Sequence, residues 1–268
     1  MSEGGTVGKA MTVLDQVAGF GRPVRFGEIQ QVSDLPKATL YRLVQTLTHQ
    51  SLLSFDTDRN TYALGMRLVR LAHAAWQQSS LAPIARPFLD ALSADLKETV
   101  HLAQLDNAQV LYVDKRNAAQ PVEMFSDAGK VGPAYCTGVG KAMLAFLDPV
   151  TLERTLGQQS YHRFTDATLC SPAALKAELN ATRIRGYAFD KEEHEPGIIC
   201  VAVPILAPGD RVLGAMSVTG STARINLEKL TEFAPRLQET ASRIAQDAKD
   251  WAFPDRSADQ NTLQGTGT

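Results

Sequence analysis

Leu40, Leu43, Val44 and Leu47 stand at i, i+3, i+4 and i+7 shortly after Pro36, and no other feature restricts the folding of this chain as much. Apolar residues at that spacing make one stripe of a helix, and the stripe must be buried. Proline suits the first turn of such a helix, where its missing N–H is not needed. Upstream, Ala10, Val13, Leu14 and Val17 predict a helix over 9–18, stopped by Gly19, Gly21 and Pro23. A second short helix is expected over 26–32 with Phe26, Ile29 and Val32 inward, followed by the tight turn Ser33-Asp34-Leu35. Downstream, 52–55 and 61–64 read as strands around the polar turn 56–60. That order is a winged helix-turn-helix. The face of the third helix opposite its stripe carries Ala38, Arg42, Gln45 and His49, with Lys37, Thr39 and Tyr41 near its start. Arginine can read guanine and glutamine can read adenine, while Lys, Thr and Tyr can hold phosphates. An ordinary amphipathic helix would also expose a polar face; the short helix, tight turn and hairpin around this one favour double-stranded DNA as its partner.

Charge agrees with that reading. Residues 1–75 hold eight Lys/Arg against six Asp/Glu, whereas the whole chain of 268 residues carries 27 against 29. A slightly basic head thus precedes an acidic body. Hydrophobic residues at 44% and charged residues at 21% describe a globular protein. No apolar run approaches the length of a membrane span. Residues 1–8 lack the pattern of a signal peptide, and three scattered cysteines, Cys136, Cys170 and Cys200, make no disulfide framework. A reducing cytoplasm is the expected compartment.

The body alternates helix and strand. A linker helix is expected over 66–80, with Met66, Val69 and Leu71 forming an apolar stripe flanked by Trp76 that asks for a second copy of itself. Helices are expected over 81–96, 138–147, 151–156, 172–185 and 227–251. Strands are expected over 100–105, 110–114, 121–125, 131–136, 187–190, 198–205 and 212–219. The sum is an α+β fold, with an antiparallel sheet flanked by helices. The divisions are a DNA-binding domain at 1–65, the linker helix at 66–80, a second domain at 81–250 and a disordered tail at 251–268, with residues 1–5 also too small and polar to order.

Several ordered segments together resemble the IclR family of bacterial transcriptional regulators. They are Leu35-Pro36-Lys37-Ala38-Thr39-Leu40-Tyr41-Arg42-Leu43, Tyr62-Ala63-Leu64-Gly65 and Cys136-Thr137-Gly138-Val139-Gly140-Lys141-Ala142, then Gly186-Tyr187, Glu192-Glu193-His194, Gly197-Ile198-Ile199-Cys200-Val201-Ala202-Val203-Pro204-Ile205 and Gly214-Ala215-Met216-Ser217-Val218. The resemblance spans about residues 6–250. It implies an N-terminal winged helix-turn-helix, a linker helix, a C-terminal GAF-like effector domain, and homodimers that often pair into tetramers. It also implies control of catabolic operons. By the same resemblance, Lys37, Ala38, Thr39, Tyr41, Arg42 and Gln45 meet operator DNA, and Met124, Gly138, Val139, Asp190, Cys200, Ser217 and Thr219 meet the effector. Asp34 and Ser51 stand where the family commonly has glycine, and the segment 130–135 lacks the usual leucine and histidine near its proline. Aspartate tolerates the positive φ that such a turn asks for.

The chemistry of the second domain can be read further. Gly138-Val139-Gly140 opens a helix after Thr137, offering backbone N–H groups to a carboxylate; a close helix–sheet contact would need the same glycines. A Walker loop is excluded, because position 135 is Tyr and Lys141 is followed by Ala142. Ser217 and Thr219 share a strand face. Asp190 would repel a carboxylate unless it accepts from a hydroxyl or N–H, or is protonated. With Ala134, Gly132 and Met124 as walls and no spare arginine, the expected effector is a small 2-oxo acid such as glyoxylate or pyruvate. No cofactor is called for. Two other readings are a zinc site of Cys136, Asp190, His194 and Cys200, and a hydrolase using Cys136 or Cys200 with His194 as base.

Overall fold

The computed structural model describes residues 5–119, 124–249 and 251. They form two compact units, 1–78 and 79–268, taken separately below. The expected tail after 251, residues 1–4 and positions 121–123 of the expected strand lie outside the described residues.

The first unit comprises helices α1 (Thr6–Gly19), α2 (Phe26–Val32) and α3 (Lys37–His49), the hairpin β1 (Leu53–Asp56) and β2 (Thr61–Leu64), and helix α4 (Met66–Ser79) up to its last residue. Leu40, Leu43, Val44 and Leu47 of α3 are buried against Val13, Leu14 and Val17 of α1, Ile29 of α2, and Leu53 and Tyr62 of the hairpin. Phe26 packs on the edge of this core, whereas Val32 points outward, half exposed. The turn before α3 is held by the Ser33 hydroxyl, which accepts the Leu35 N–H at 3.4 Å. Asp34 keeps a negative φ, so the glycine it replaces is not conformationally required. Ser51 does take the left-handed conformation, φ 57°, where the resemblance has glycine. Asp56 shapes the hairpin turn by accepting the N–H groups of Asp58 and Arg59, both at 3.0 Å. None of the residues of α4 is buried in the single chain, and Met66, Val69 and Leu71 are all exposed. No helix among the described residues is long and apolar enough to cross a membrane.

The second unit is a curled six-stranded antiparallel sheet with helices on both faces. Its strands are β3 (Thr99–Asp106), β4 (Gln109–Arg116), β5 (Val131–Pro133), β6 (Ala188–Lys191), β7 (Ile198–Ala207) and β8 (Arg211–Ser221), in the spatial order β5-β4-β3-β8-β7-β6. Side chains alternate between the faces. Ala103, Ala188, Ala202 and Ala215 meet α6 (Gly138–Leu144), α7 (Pro149–Gly157) and α8 (Pro172–Arg185) in one buried cluster. Their neighbours in the strands, Val201, Val203, Met216 and Val218, turn to the face covered by α5 (Ala82–Leu96) and α9 (Leu227–Asp247).

Four expectations change here. The strand expected over 131–136 ends at Pro133, and Met124 and Phe125 lie in irregular chain. Pro133 has no N–H to continue the ladder, and its carbonyl is taken by the Thr137 hydroxyl at 2.7 Å, which bends the chain into α6. The helix expected to reach 147 closes at Leu144, and the last helix ends at Asp247.

Candidate functional site

In the first unit, the outward face of α3 presents Lys37, Ala38, Tyr41, Arg42 and Gln45, all exposed, with Thr39 half-buried. The buried stripe fixes this orientation, since residues three and four apart share a helix face. Tyr41 is steadied edge-on by Phe26 at 5.7 Å between ring centres. Gln45 reaches the hairpin, its amide donating to the Tyr62 hydroxyl at 3.4 Å. Arg42 makes no ion pair among the described residues, which leaves its guanidinium available to an outside acceptor.

In the second unit, Met124, Gly138, Val139, Asp190, Cys200, Ser217 and Thr219 line one cavity beneath the start of α6, holding about 420 Å³ of space between atoms, part of it open to solvent. Strand register places them. Asp190 lies opposite Cys200 and Cys200 opposite Thr219, so three strands contribute one row across the sheet. Ser217 lies two residues along β8, opposite Ala202 on one side and His101 on the other. Ala134 and Gly132, expected as walls, do not line the cavity. Ala134 is instead fully buried in the core below α6, and Gly132 packs near Tyr112 and Phe125.

The glycines of α6 have packing reasons. A Cβ on Gly138 would stand 2.4 Å from the Cys200 sulfur, and one on Gly140 would stand 2.3 Å from the Ala134 carbonyl oxygen. The close helix–sheet contact is therefore present at this glycine pair, which also lines the cavity at Gly138.

Electrostatics follow from burial. Asp190 accepts the Glu193 N–H at 2.8 Å, yet its carboxyl is pushed up to about 7 by burial and by the nearby charge of Glu193, with Lys141 opposing. Lys141 is fully buried and ion-paired with Glu193 behind the cavity. The Cys200 thiol is driven up to about 12 by burial and Asp190, and Cys136 is raised further by the same causes, so neither is a ready nucleophile. His194 is lowered by burial, and its ring lies between Phe125 and Phe164, with centres 5.3 and 4.7 Å away. Among the described residues, no group of three His, Cys, Asp or Glu side chains could hold a metal. Cys136, Asp190, His194 and Cys200 therefore do not form the zinc cage weighed from sequence, and the cysteine–histidine base arrangement gains no support.

The cavity also recruits residues that sequence reasoning missed. Tyr112, Phe125 and Ile198 add apolar wall, and His101 and Ser126 add polar floor. His101 was detectable only by pairing β3 with β8, which places it opposite Ser217.

Asp190→Asn tests the electrostatics. The folded group titrates near 7 and the unfolded one near 4, so the native state holds the extra proton between those values. Stability is therefore greatest below about pH 4 on this account and declines as pH rises through about 7. Asparagine can still accept the Glu193 N–H. Urea unfolding should show D190N gaining on the parent as pH rises from 4 to 7, by about 2–4 kcal/mol more at pH 8 than at pH 4. Equal effects at both pH values would contradict the raised carboxyl.

Comparison with known proteins gives a consistent picture. The model described as bacterial transcriptional regulator IclR C-terminal matches residues 73–246, and the IclR helix-turn-helix domain model matches residues 6–57. The chain is 31% identical to the HTH-type transcriptional regulator XynR of Escherichia coli, over 90% of this chain and 95% of that protein. It is 30% identical to the transcriptional repressor IclR of the same organism, over 88% and 87%. The crystal structure of the Thermotoga maritima IclR superposes with a TM-score of 0.75 at 29% identity, covering 91% of this chain and 98% of that one.

Proposed function

The chain belongs to the IclR family of DNA-binding transcriptional regulators, and on that premise we propose that a small organic acid in the cavity under α6 governs its hold on operator DNA. The observation that carries the reading is the convergence of Asp190, Cys200, Ser217 and Thr219 on one cavity, in a chain whose other unit exposes Arg42 and Gln45 on its recognition helix. The relatives named above are transcriptional regulators, which supports a regulator and not an enzyme.

A 2-oxo acid such as glyoxylate or pyruvate suits the polar row. Its carboxylate and oxo group can take the Ser217 and Thr219 hydroxyls, and a protonated Asp190 can donate. A second reading rests on Tyr112, Phe125 and Ile198, which supply an apolar wall beside the polar row. They favour a ring-bearing monocarboxylate. In either case the acid acts by binding two conformations of the protein with different affinity. A homodimer supplies the two half-site readers, with the exposed Met66, Val69 and Leu71 of α4 as the mutual face.

Gel-shift titration on the natural operator tests both halves. Pyruvate, glyoxylate or benzoate at millimolar concentration should change operator affinity, and no response to any acid would reject the regulator-by-acid reading. Arg42→Ala should cost about 1–3 kcal/mol of specific binding. Lys37→Ala should weaken all DNA similarly and reduce the salt slope by about one. An unchanged affinity for Arg42→Ala would exclude this face of α3.

A further inference from the structure

The cavity has a problem to solve: it lacks Lys or Arg among its lining residues and contains the carboxyls of Asp190 and Glu195, yet on the reading above it accepts an acid. Its donors must come from neutral groups. His101 sits at the centre of such a set. Its Nε2 is 2.8 Å from the Ser126 hydroxyl, and its Nδ1 is 3.2 Å from the Thr219 hydroxyl and 3.5 Å from that of Ser217. Ser217 and Thr219 are themselves 3.5 Å apart. All four side chains are buried.

A neutral imidazole has one N–H and one lone pair, and the tautomer decides which side receives which. With the proton on Nε2, the ring donates to Ser126 and Nδ1 accepts from Thr219. Thr219 then spends its hydrogen on the ring and turns lone pairs toward the cavity, which suits a ligand hydroxyl or amine. With the proton on Nδ1, the ring donates to Thr219 and Ser126 donates to Nε2. The hydrogens of Thr219 and Ser217 are then both free to point at a ligand oxygen.

We propose that His101 is the specificity-determining residue of the cavity, and that its Nδ1–H tautomer converts Thr219 and Ser217 into a pair of donors for a carboxylate. This rests on the acid reading and supplies its missing recognition chemistry. Change of tautomer moves one proton from Nε2 to Nδ1 through the hydroxyls or water, and the ring stays neutral throughout. Burial and the charge of Lys115 hold the ring's pKa down to about 3, with Asp127 and a Ser126 backbone hydrogen bond opposing, so an imidazolium does not compete. Ser126 is the anchor of the set. Its hydroxyl must rotate to donate when an acid is present, which ties occupancy of the cavity to the chain segment that carries Met124 and Phe125.

The test is nitrogen-15 spectroscopy of the full chain labelled in histidine, with pyruvate, glyoxylate and benzoate added in turn and calorimetry run on the same samples. His101→Asn identifies the signal among the five histidines. With a bound acid, the long-range correlations of His101 should show the Nδ1–H pattern. An Nε2–H pattern with heat of binding overturns the proposal and leaves the acid reading standing. Absence of heat with all three acids overturns both. Side-chain geometry provides a second arm. His101→Asn puts an amide N–H where Nδ1 stands and should bind the acid within about threefold of the parent. His101→Gln reaches only the Nε2 position and should lose about tenfold or more, the effect of leaving a buried polar pair unmatched. Equal loss in both variants, at matched melting temperature, would mean that His101 only fills space.

Discussion

Lys141→Met is expected to lower the stability of the second unit by about 3–5 kcal/mol, the usual cost of stripping one partner from a buried ion pair. Lys141 is fully buried in α6, and its ammonium faces Glu193 Oε1, while Glu193 Oε2 has no hydrogen-bond partner among the described residues. The pair is already under-satisfied, because burial pushes the Glu193 carboxyl up while Lys141 pulls it down. Without the lysine, Glu193 and Asp190 would be two neighbouring buried acids with no counter-charge, and at neutral pH they would have to protonate. Replacing both partners should behave differently. Lys141→Met with Glu193→Leu removes the stranded charge and should recover most of the loss. Urea unfolding of the single and double variants at pH 7 measures this directly. A single variant as stable as the parent would show that the pair contributes nothing.

Gly140→Ala should be nearly as damaging, for a steric reason. The added methyl would stand 2.3 Å from the carbonyl oxygen and 2.5 Å from the Cα of Ala134, and backbone cannot step aside as a side chain can. Relief requires lifting α6 from the sheet, which also disturbs Gly138 against Cys200. A loss of about 3 kcal/mol is expected, at the upper end of over-packing substitutions. That corresponds to a fall in melting temperature of roughly 6–12 °C for a unit of this size. Gly157→Ala is the matched control, because nothing lies within 4 Å of its Cβ position. It should melt within a few degrees of the parent, or higher, as its unfolded chain loses freedom. A Gly140→Ala melt equal to that of the control would refute the close contact.

The helices were legible because their apolar spacing is a local property. The α3 stripe of Leu40, Leu43, Val44 and Leu47 stands in the sequence and reappears as the buried core of the first unit. Strand limits were less legible where a single side chain decides them. Nothing in the spacing of 131–136 announces that the Thr137 hydroxyl will capture the Pro133 carbonyl and end β5 three residues early. Asp34 invites comparison with the glycine it replaces, although the Ser33 hydroxyl makes the turn without a positive φ. In the cavity, Ser217 and Thr219 could be joined from sequence because both lie on β8 two residues apart. His101 could not, because its place depends on the register between strands more than a hundred residues apart in the chain. Ala134 and Gly132 were misplaced for a related reason: a short residue near a pocket is as easily a seat for a neighbour, and Ala134 seats Gly140.

The pairing of β3 with β8 also dictates when the cavity can exist. Thr99–Asp106 is made early in the second unit and Arg211–Ser221 late, yet the two strands lie side by side at the middle of the sheet. Closing so long a loop is slow and must precede the contacts that reward it. On the ribosome, the three helices and hairpin of the first unit emerge complete while His101 still waits for Ser217. A growing chain therefore completes its helix-turn-helix before the cavity of the second unit can close, and that closure arrives only with the last strand.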